Sequence, residues 1–190
     1  MKKIFLIGAG GHARSCAEII KRNNNFKIEC YFSDKGEKIF GKKAINLNLK
    51  NLKNIKKKEN FHIAIGQIKN NTKREKLFNY LKNKGYSFPS IISKKAYTAS
   101  KVKIGMGTII MSSCVINVNS IIGVNNIINT GSIIEHDVKI GNHNHIAPGA
   151  IINGGVEIGN NCFIGSGSII KQGIKIKNNS FIQAGKTILK

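Results

Sequence analysis

The chain has 190 residues, 41% of them hydrophobic, enough for one packed domain or two small ones, and this excludes intrinsic disorder. Its net charge of +22 comes from 31 basic and 9 acidic residues, but only Arg14, Arg22 and Arg74 are arginines and the aromatics do not interleave with the lysines, so nucleic-acid binding is not expected. Lys, Asn and Ile supply 87 positions, a compositional bias that accounts for much of the charge.

Met1 to Lys3 leads into only Ile4 to Ile7 before glycines follow, so no signal peptide is predicted. No run reaches the roughly 18 apolar residues of a membrane span, and the expectation is a soluble, cytoplasmic protein. Lys3 to Ile7 reads as a strand and Ala13 to Arg22 as a helix whose apolar face carries Ala13, Cys16, Ala17, Ile19 and Ile20. Between them, Gly8-Ala9-Gly10-Gly11-His12-Ala13 fits the GxGxxA form of a nucleotide-binding turn. Bare glycines there admit a phosphate to the backbone, and the helix N-terminus offers oriented N–H groups. Gly8, Gly10, Gly11 and His12 are thus candidate ligand-binding residues.

A second strand, Lys27 to Phe32, ends at Ser33-Asp34, which puts the Asp34 carboxylate where a ribose or a base would lie. A third, Phe61 to Ile65, ends at Gly66, and Thr72 to Lys82 reads as another helix through Leu77, Phe78 and Leu81. The alternation predicts a small Rossmann-like parallel α/β domain over residues 1–97. That length is short for a full dinucleotide fold, so a nucleoside diphosphate is expected rather than NAD. This half holds 23 Lys or Arg against 6 Asp or Glu, a background attraction for such an anion. Lys50 to Asn60 give weak local signals, and residues 83–100, with Gly85 and Pro89, are expected to form a linker or a first incomplete coil.

From Ile104 to Ile188 an isoleucine recurs at every sixth residue, fifteen times without a gap. Four residues later the side chain is usually small, as at Thr108, Cys114, Ser120, Ser132, Ala150, Cys162, Ser168 and Ser180. A period of six fits neither a helix nor a hairpin meander; it suits short strands joined by tight turns, with the isoleucine inward and the small residue near the corner. Three hexads make a triangular coil, so this stretch completes between four and five coils and residues 18 apart stack. The prediction is an all-β left-handed parallel β-helix over residues 98–190. Its slender prism carries more isoleucine than it can bury alone, at 109, 121, 127, 133 and 151, so trimerisation is expected. Cys114 and Cys162 are 48 apart, not a multiple of 18, and should not pair; all four cysteines read as buried thiols.

His136, His143 and His145 fall within ten residues, and His136 stands between Glu135 and Asp137 in an otherwise neutral run. Histidines on solvent-facing turns are one reading; zinc held between subunits is a weaker one, because no third ligand repeats at coil spacing, and no metal is expected.

Three segments together resemble one family. They are the strand with Gly-Ala-Gly-Gly-His, Ala64-Ile65-Gly66 with Arg74 downstream, and Asn129-Thr130-Gly131-Ser132-Ile133-Ile134-Glu135-His136-Asp137 followed by His145-Ile146-Ala147-Pro148-Gly149-Ala150. Nearly the whole chain resembles the NeuD/PglD family of bacterial sugar O- and N-acyltransferases. The resemblance implies a homotrimer with acetyl-CoA between subunits and a nucleotide-linked amino sugar on the N-terminal domain, in surface glycan (lipopolysaccharide) biosynthesis. It also implies His136 as general base, Asp137 orienting it, His145 near the CoA thioester and Asp34 on the nucleotide base. Coil stacking puts Gly154 one coil beyond His136, where its bare N–H would meet the thioester oxyanion of acetyl-CoA. O-acetylation of a sialic-acid-like sugar would use the same base, and a non-catalytic sugar-nucleotide-binding scaffold is the reading from another class. Two segments depart from the family pattern: Ile91-Ile92-Ser93-Lys94-Lys95 replaces an Ile-His-Pro-like segment, and no Pro-Ala-Lys-like motif precedes Lys190.

Overall fold

A computed structural model of the chain describes residues 1–48, 51–52, 55–68 and 72–190. It divides into two compact units, one formed by Met1–Gly66 and Thr72–Pro89, the other by Ser90–Lys190 with the stretch that begins at Gln67.

The first unit runs β1 (Lys2–Ile7), α1 (Gly11–Asn23), β2 (Phe26–Phe32), β3 (Lys38–Ile39), β4 (Lys42–Lys43), β5 (Asn60–Ile63) and α2 (Thr72–Asn83). β2, β1 and β5 form a parallel sheet in that order, with β1 central and its Ile4, Leu6 and Ile7 fully buried. On one sheet face Phe5 stacks on Phe61 at 5.2 Å between centroids, and Phe32, Tyr86 and Phe88 extend the cluster. The predicted face of α1 is the buried one, through Ala13, Cys16, Ala17, Ile19 and Ile20. The antiparallel β3–β4 pair has no counterpart in the sequence pattern; its turn at Phe40 and Gly41 takes positive φ at both residues.

The second unit is a parallel β-helix of the left-handed class: seventeen two-residue strands in three sheets of six, five and six. From Lys103–Ile104 onward the second residue of every strand is the isoleucine of the repeat, and from Ile110 to Ile170 these side chains are buried at the prism axis. Strands pair in register 18 residues apart, as Ile133 with Ile151 and Lys139 with Glu157. Every sixth residue from Lys101 to Gly185 has positive φ, which turns the chain at each corner and explains why Gly, Asn, Asp and Ser dominate those slots. Small polar residues line the interior beside the corners. Asn126 N–H donates to Thr108 Oγ1, Asn144 N–H to Asn126 Oδ1 and Cys162 N–H to Asn144 Oδ1, so one coil's side chain satisfies the next coil's backbone.

The coil begins before Ile104, within the 83–100 segment. Ile91–Ile92 and Tyr97–Thr98 already pair with Ile109–Ile110 and Val115–Ile116. Thr98 takes the place of an isoleucine there, which hides this rung from the six-residue pattern. All four cysteines are free. Among the described residues no helix is long and apolar enough to cross a membrane.

Candidate active site

The candidate residues fall into two groups, one in each unit. In the first unit a cavity of about 440 Å³ is lined by Ile7 to His12, Phe32 to Lys35, Glu37, Leu47, Ala64 to Gly66 and Lys73. Gly8, Gly10, Gly11, His12 and Asp34, the five residues singled out in the sequence, all lie on its wall. Gly8 has φ +127°, and a Cβ on it would stand 2.5 Å from the Ala64 carbonyl oxygen, so the close pass of the turn over the end of β5 demands glycine. At Gly10 the position of a Cβ meets nothing within 4 Å, so its bareness serves the open cavity rather than the fold. α1 starts at Gly11 with no side-chain cap and no acidic residue in its first turn, leaving its N-terminal N–H groups and dipole available to an anion.

Two further charges on the cavity wall, Lys73 and Glu37, belong to no motif. Asp34 Oδ2 pairs with Lys73 Nζ, and Ser33 Oγ donates to Glu37 Oε2 at 2.6 Å. Lys73 sits at the start of α2, far from Asp34 in sequence and in no motif, so only the folded topology reveals the pair. Behind the turn, His12 Nε2 lies 3.4 Å from Cys16 Sγ. Burial pushes the Cys16 thiol up to about 12, which keeps it an inert thiol. His62 is wholly enclosed, neither ring nitrogen has a hydrogen-bond partner among the described residues, and burial, with His12 and Arg74 adding to it, pushes its pKa down to about 3.

In the second unit His136 occupies the corner after strand Ile133–Ile134, its side chain 53% exposed. Its Nδ1 lies 2.8 Å from Asp137 Oδ2, and Asn119 Nδ2 donates to Asp137 Oδ1 at 3.2 Å. These two bonds, His136 first, hold the Asp137 carboxyl below the usual carboxylate range. An ionised carboxylate only accepts, so Nδ1 carries the imidazole hydrogen and Nε2 presents its lone pair. Gly154 lies directly against that ring: a Cβ on it would stand 2.7 Å from His136 Cε1 and Nε2. Among the described residues no acceptor engages the Gly154 N–H. The His136 ring therefore lies against bare backbone, with its Nδ1 held by Asp137 and its Nε2 beside Gly154, an arrangement that suits a general base. Asn119 belongs to no motif, although it lies one 18-residue step before Asp137.

His145 is placed differently. It is buried on the outward side of strand His145–Ile146, its edge against the Phe163 ring at 5.3 Å. Nδ1 donates to the Gln67 carbonyl and Nε2 accepts from Asn129 Nδ2 at 3.0 Å, so service at a thioester would require one of these bonds to open. His143 is also buried, bonded through Nδ1 to Asn125 Nδ2 at 2.9 Å. Among the described residues no three His, Cys, Asp or Glu side chains gather as a metal site.

The PglD N-terminal domain family model matches residues 3–81, and the model of the hexapeptide repeat of succinyl-transferase matches residues 155–190. A comparison with curated proteins gave no match. Among solved structures, the acetyltransferase domain of PglB from Neisseria gonorrhoeae is 25% identical with a TM-score of 0.92, over 100% of this chain and 92% of its own. PerB from Caulobacter crescentus, in complex with CoA and GDP-perosamine, is 25% identical with a TM-score of 0.90, over 100% of this chain and 90% of its own. WeeI from Acinetobacter baumannii shares the fold at 23% identity and a TM-score of 0.77, over 100% of this chain and 97% of its own.

Proposed function

We propose that the chain is an acetyl-CoA-dependent sugar acetyltransferase of the PglD-like hexapeptide-repeat kind, a reading supported by its two family-model matches and its solved neighbours, and that it acetylates the amino group of a nucleotide-linked amino sugar with His136 as general base. The observation that carries this reading is the half-exposed His136 ring, held by Asp137 through Nδ1 and lying with Nε2 against the bare backbone of Gly154. Nε2 takes a proton from the sugar amine as its nitrogen bonds to the thioester carbonyl carbon. The Gly154 N–H donates to the carbonyl oxygen as it gains charge. The C–S bond then breaks, and the imidazolium returns the proton to the departing CoA sulfur. Asp137 keeps Nδ1 protonated and the ring oriented throughout. An amine rather than a hydroxyl acceptor is favoured by the likeness to PerB, solved with GDP-perosamine.

In the same reading the first unit holds the nucleotide sugar. The diphosphate lies over Gly8, Gly10, Gly11 and the α1 N-terminus, His12 lines the sugar side, and Asp34 accepts from the base or ribose.

The assembly is a homotrimer. The outward residues of one prism face are Tyr97, Val115, Ile133, Ile151, Ile169 and Thr187, whereas another face carries Lys139, Glu157 and Lys175 in a ladder of ion pairs. Packing of the apolar face on a neighbouring copy would bring that copy beside the His136 corner, where acetyl-CoA would lie between subunits. A particle near 20.8 kDa by light scattering at micromolar concentration would contradict it.

A panel of UDP-, GDP-, dTDP- and CMP-linked amino sugars offered with acetyl-CoA identifies the acceptor by CoA release. His136→Ala should then lower kcat by about 10² to 10⁴ with modest change in either KM. Retention of activity within about threefold would remove His136 from the role of base.

A further inference from the structure

Asn119 and Asp137 stand 18 residues apart on the same prism corner, both in the left-handed region with φ +62° and +60°. The rung between them is fixed by the Asp137 N–H donating to the Val118 carbonyl at 3.0 Å. Asn119 Nδ2 donates to Asp137 Oδ1, while Asp137 Oδ2 accepts from His136 Nδ1, so the carboxylate is held through different oxygens at its two ends. On the opposite side the next residue of this corner column is Gly155, which has no side chain to offer. The Asp137 side chain is 56% exposed, and a carboxylate tied through one oxygen alone would turn about its last torsion among water molecules.

We infer that Asn119 is a positioning residue for the acyl transfer: it fixes the plane of the Asp137 carboxylate and, through it, the tautomer and aim of the His136 ring. The inference rests on the reading of His136 as base. The same 18-residue step joins Asn125 to His143 at another corner, but there both side chains are buried and the bond serves the coil. At the Asn119 corner water offers both partners equivalent bonds, so the bond adds little to stability and its value lies in geometry.

The test is a double-mutant cycle on kcat with Asn119→Gly and Asp137→Gly. Glycine is the clean replacement because it keeps the left-handed corner, as it does at Gly131, Gly149 and Gly155, and removes only the amide. Asn119→Gly should lower kcat about three- to tenfold and leave both KM values unchanged. In an Asp137→Gly background the same change should have no further effect, because a residue that acts only through the carboxylate has nothing left to position. Parental kcat in Asn119→Gly would overturn the inference, as would an equal loss in both backgrounds or a shift confined to KM. The cycle decides even if Asn119→Gly melts earlier, since damage to the fold adds to Asp137→Gly and lost positioning does not. If His136→Ala remains active, the reading of the base fails; if His136→Ala is dead and the cycle shows no coupling, only the role of Asn119 fails.

Discussion

In the α/β unit the wall of the cavity arrives from separate stretches: the turn after β1, the end of β2, the end of β5 and the start of α2. In the coil, Asn119, His136, Asp137 and Gly154 occupy positions related by a single step of 18 residues. A repeat assigns each residue a slot (inward, outward or corner), so an unusual residue in a slot is visible at once and its neighbours follow by counting. The α/β unit has no such lattice, and its polar groups meet only after the chain has folded. The two regions also stabilise themselves differently. The coil rests on one isoleucine per rung, whereas the sheet of the first unit rests on a cluster of aromatic rings and encloses an unpaired imidazole.

The largest effect expected from this contrast is on the coil axis. Ile128 is fully buried between rungs, and Ile128→Ala should cost about 2 to 5 kcal/mol of unfolding free energy, measured by urea denaturation. Because the cavity proposed for the nucleotide belongs to the other unit, the same variant should keep its affinity for the sugar nucleotide at temperatures where the coil remains folded. Loss of that affinity would show that the two units are not independent.

Acid should probe the other unit. His62 is neutral in the folded chain down to about pH 3, whereas in the unfolded chain it takes a proton near its ordinary 6.5. Between those values the unfolded state binds the extra proton, so stability is intact above 6.5 and falls as the pH drops through the window. His62→Leu should remove that dependence. Relative to the parent it should gain on the order of 2 to 3 kcal/mol on going from pH 7 to about pH 4.5, read from urea midpoints at the two values. An unchanged gap would mean that His62 finds a partner in solution.

A smaller and more local effect separates chemistry from binding. Gly154→Ala puts a methyl group 2.7 Å from the His136 ring and must displace it, so kcat should fall by up to about 10²-fold with the sugar-nucleotide KM unchanged. Steady-state kinetics with both substrates varied would check this, and a purely structural defect would lower both the melting temperature and the affinity.

The legibility of the molecule follows the same division. Fifteen isoleucines announce the coil, and an 18-residue step along the chain is enough to place Gly154 against His136 by counting alone. Thr98 conceals one early rung because it puts a polar residue in an inward slot, and Asn119 emerges only when the step is counted back from Asp137 rather than forward from His136. In the first unit the strand, turn and helix of residues 2–23 follow from apolar spacing and glycines. The β3–β4 pair does not, since two-residue strands rich in lysine have no alternation to detect. Lys73 is likewise invisible in the sequence, because tertiary topology alone brings it to Asp34, 39 residues away, whereas Glu37 reaches Ser33 locally but belongs to no motif. His145 shows the limit of motif reading: the histidine is where the pattern puts it, but its two ring nitrogens are committed to Gln67 and Asn129.

The central claim is that the two units divide the work, one holding the nucleotide sugar and the other the base and acetyl-CoA. The most direct test is calorimetric titration of Asp34→Ala with each substrate separately. The account predicts that its affinity for the sugar nucleotide falls by the equivalent of roughly 1.5 to 3 kcal/mol, the worth of a charge-assisted hydrogen bond, while acetyl-CoA binds as it does to the parent. Weakened acetyl-CoA binding with the sugar nucleotide unaffected would contradict it.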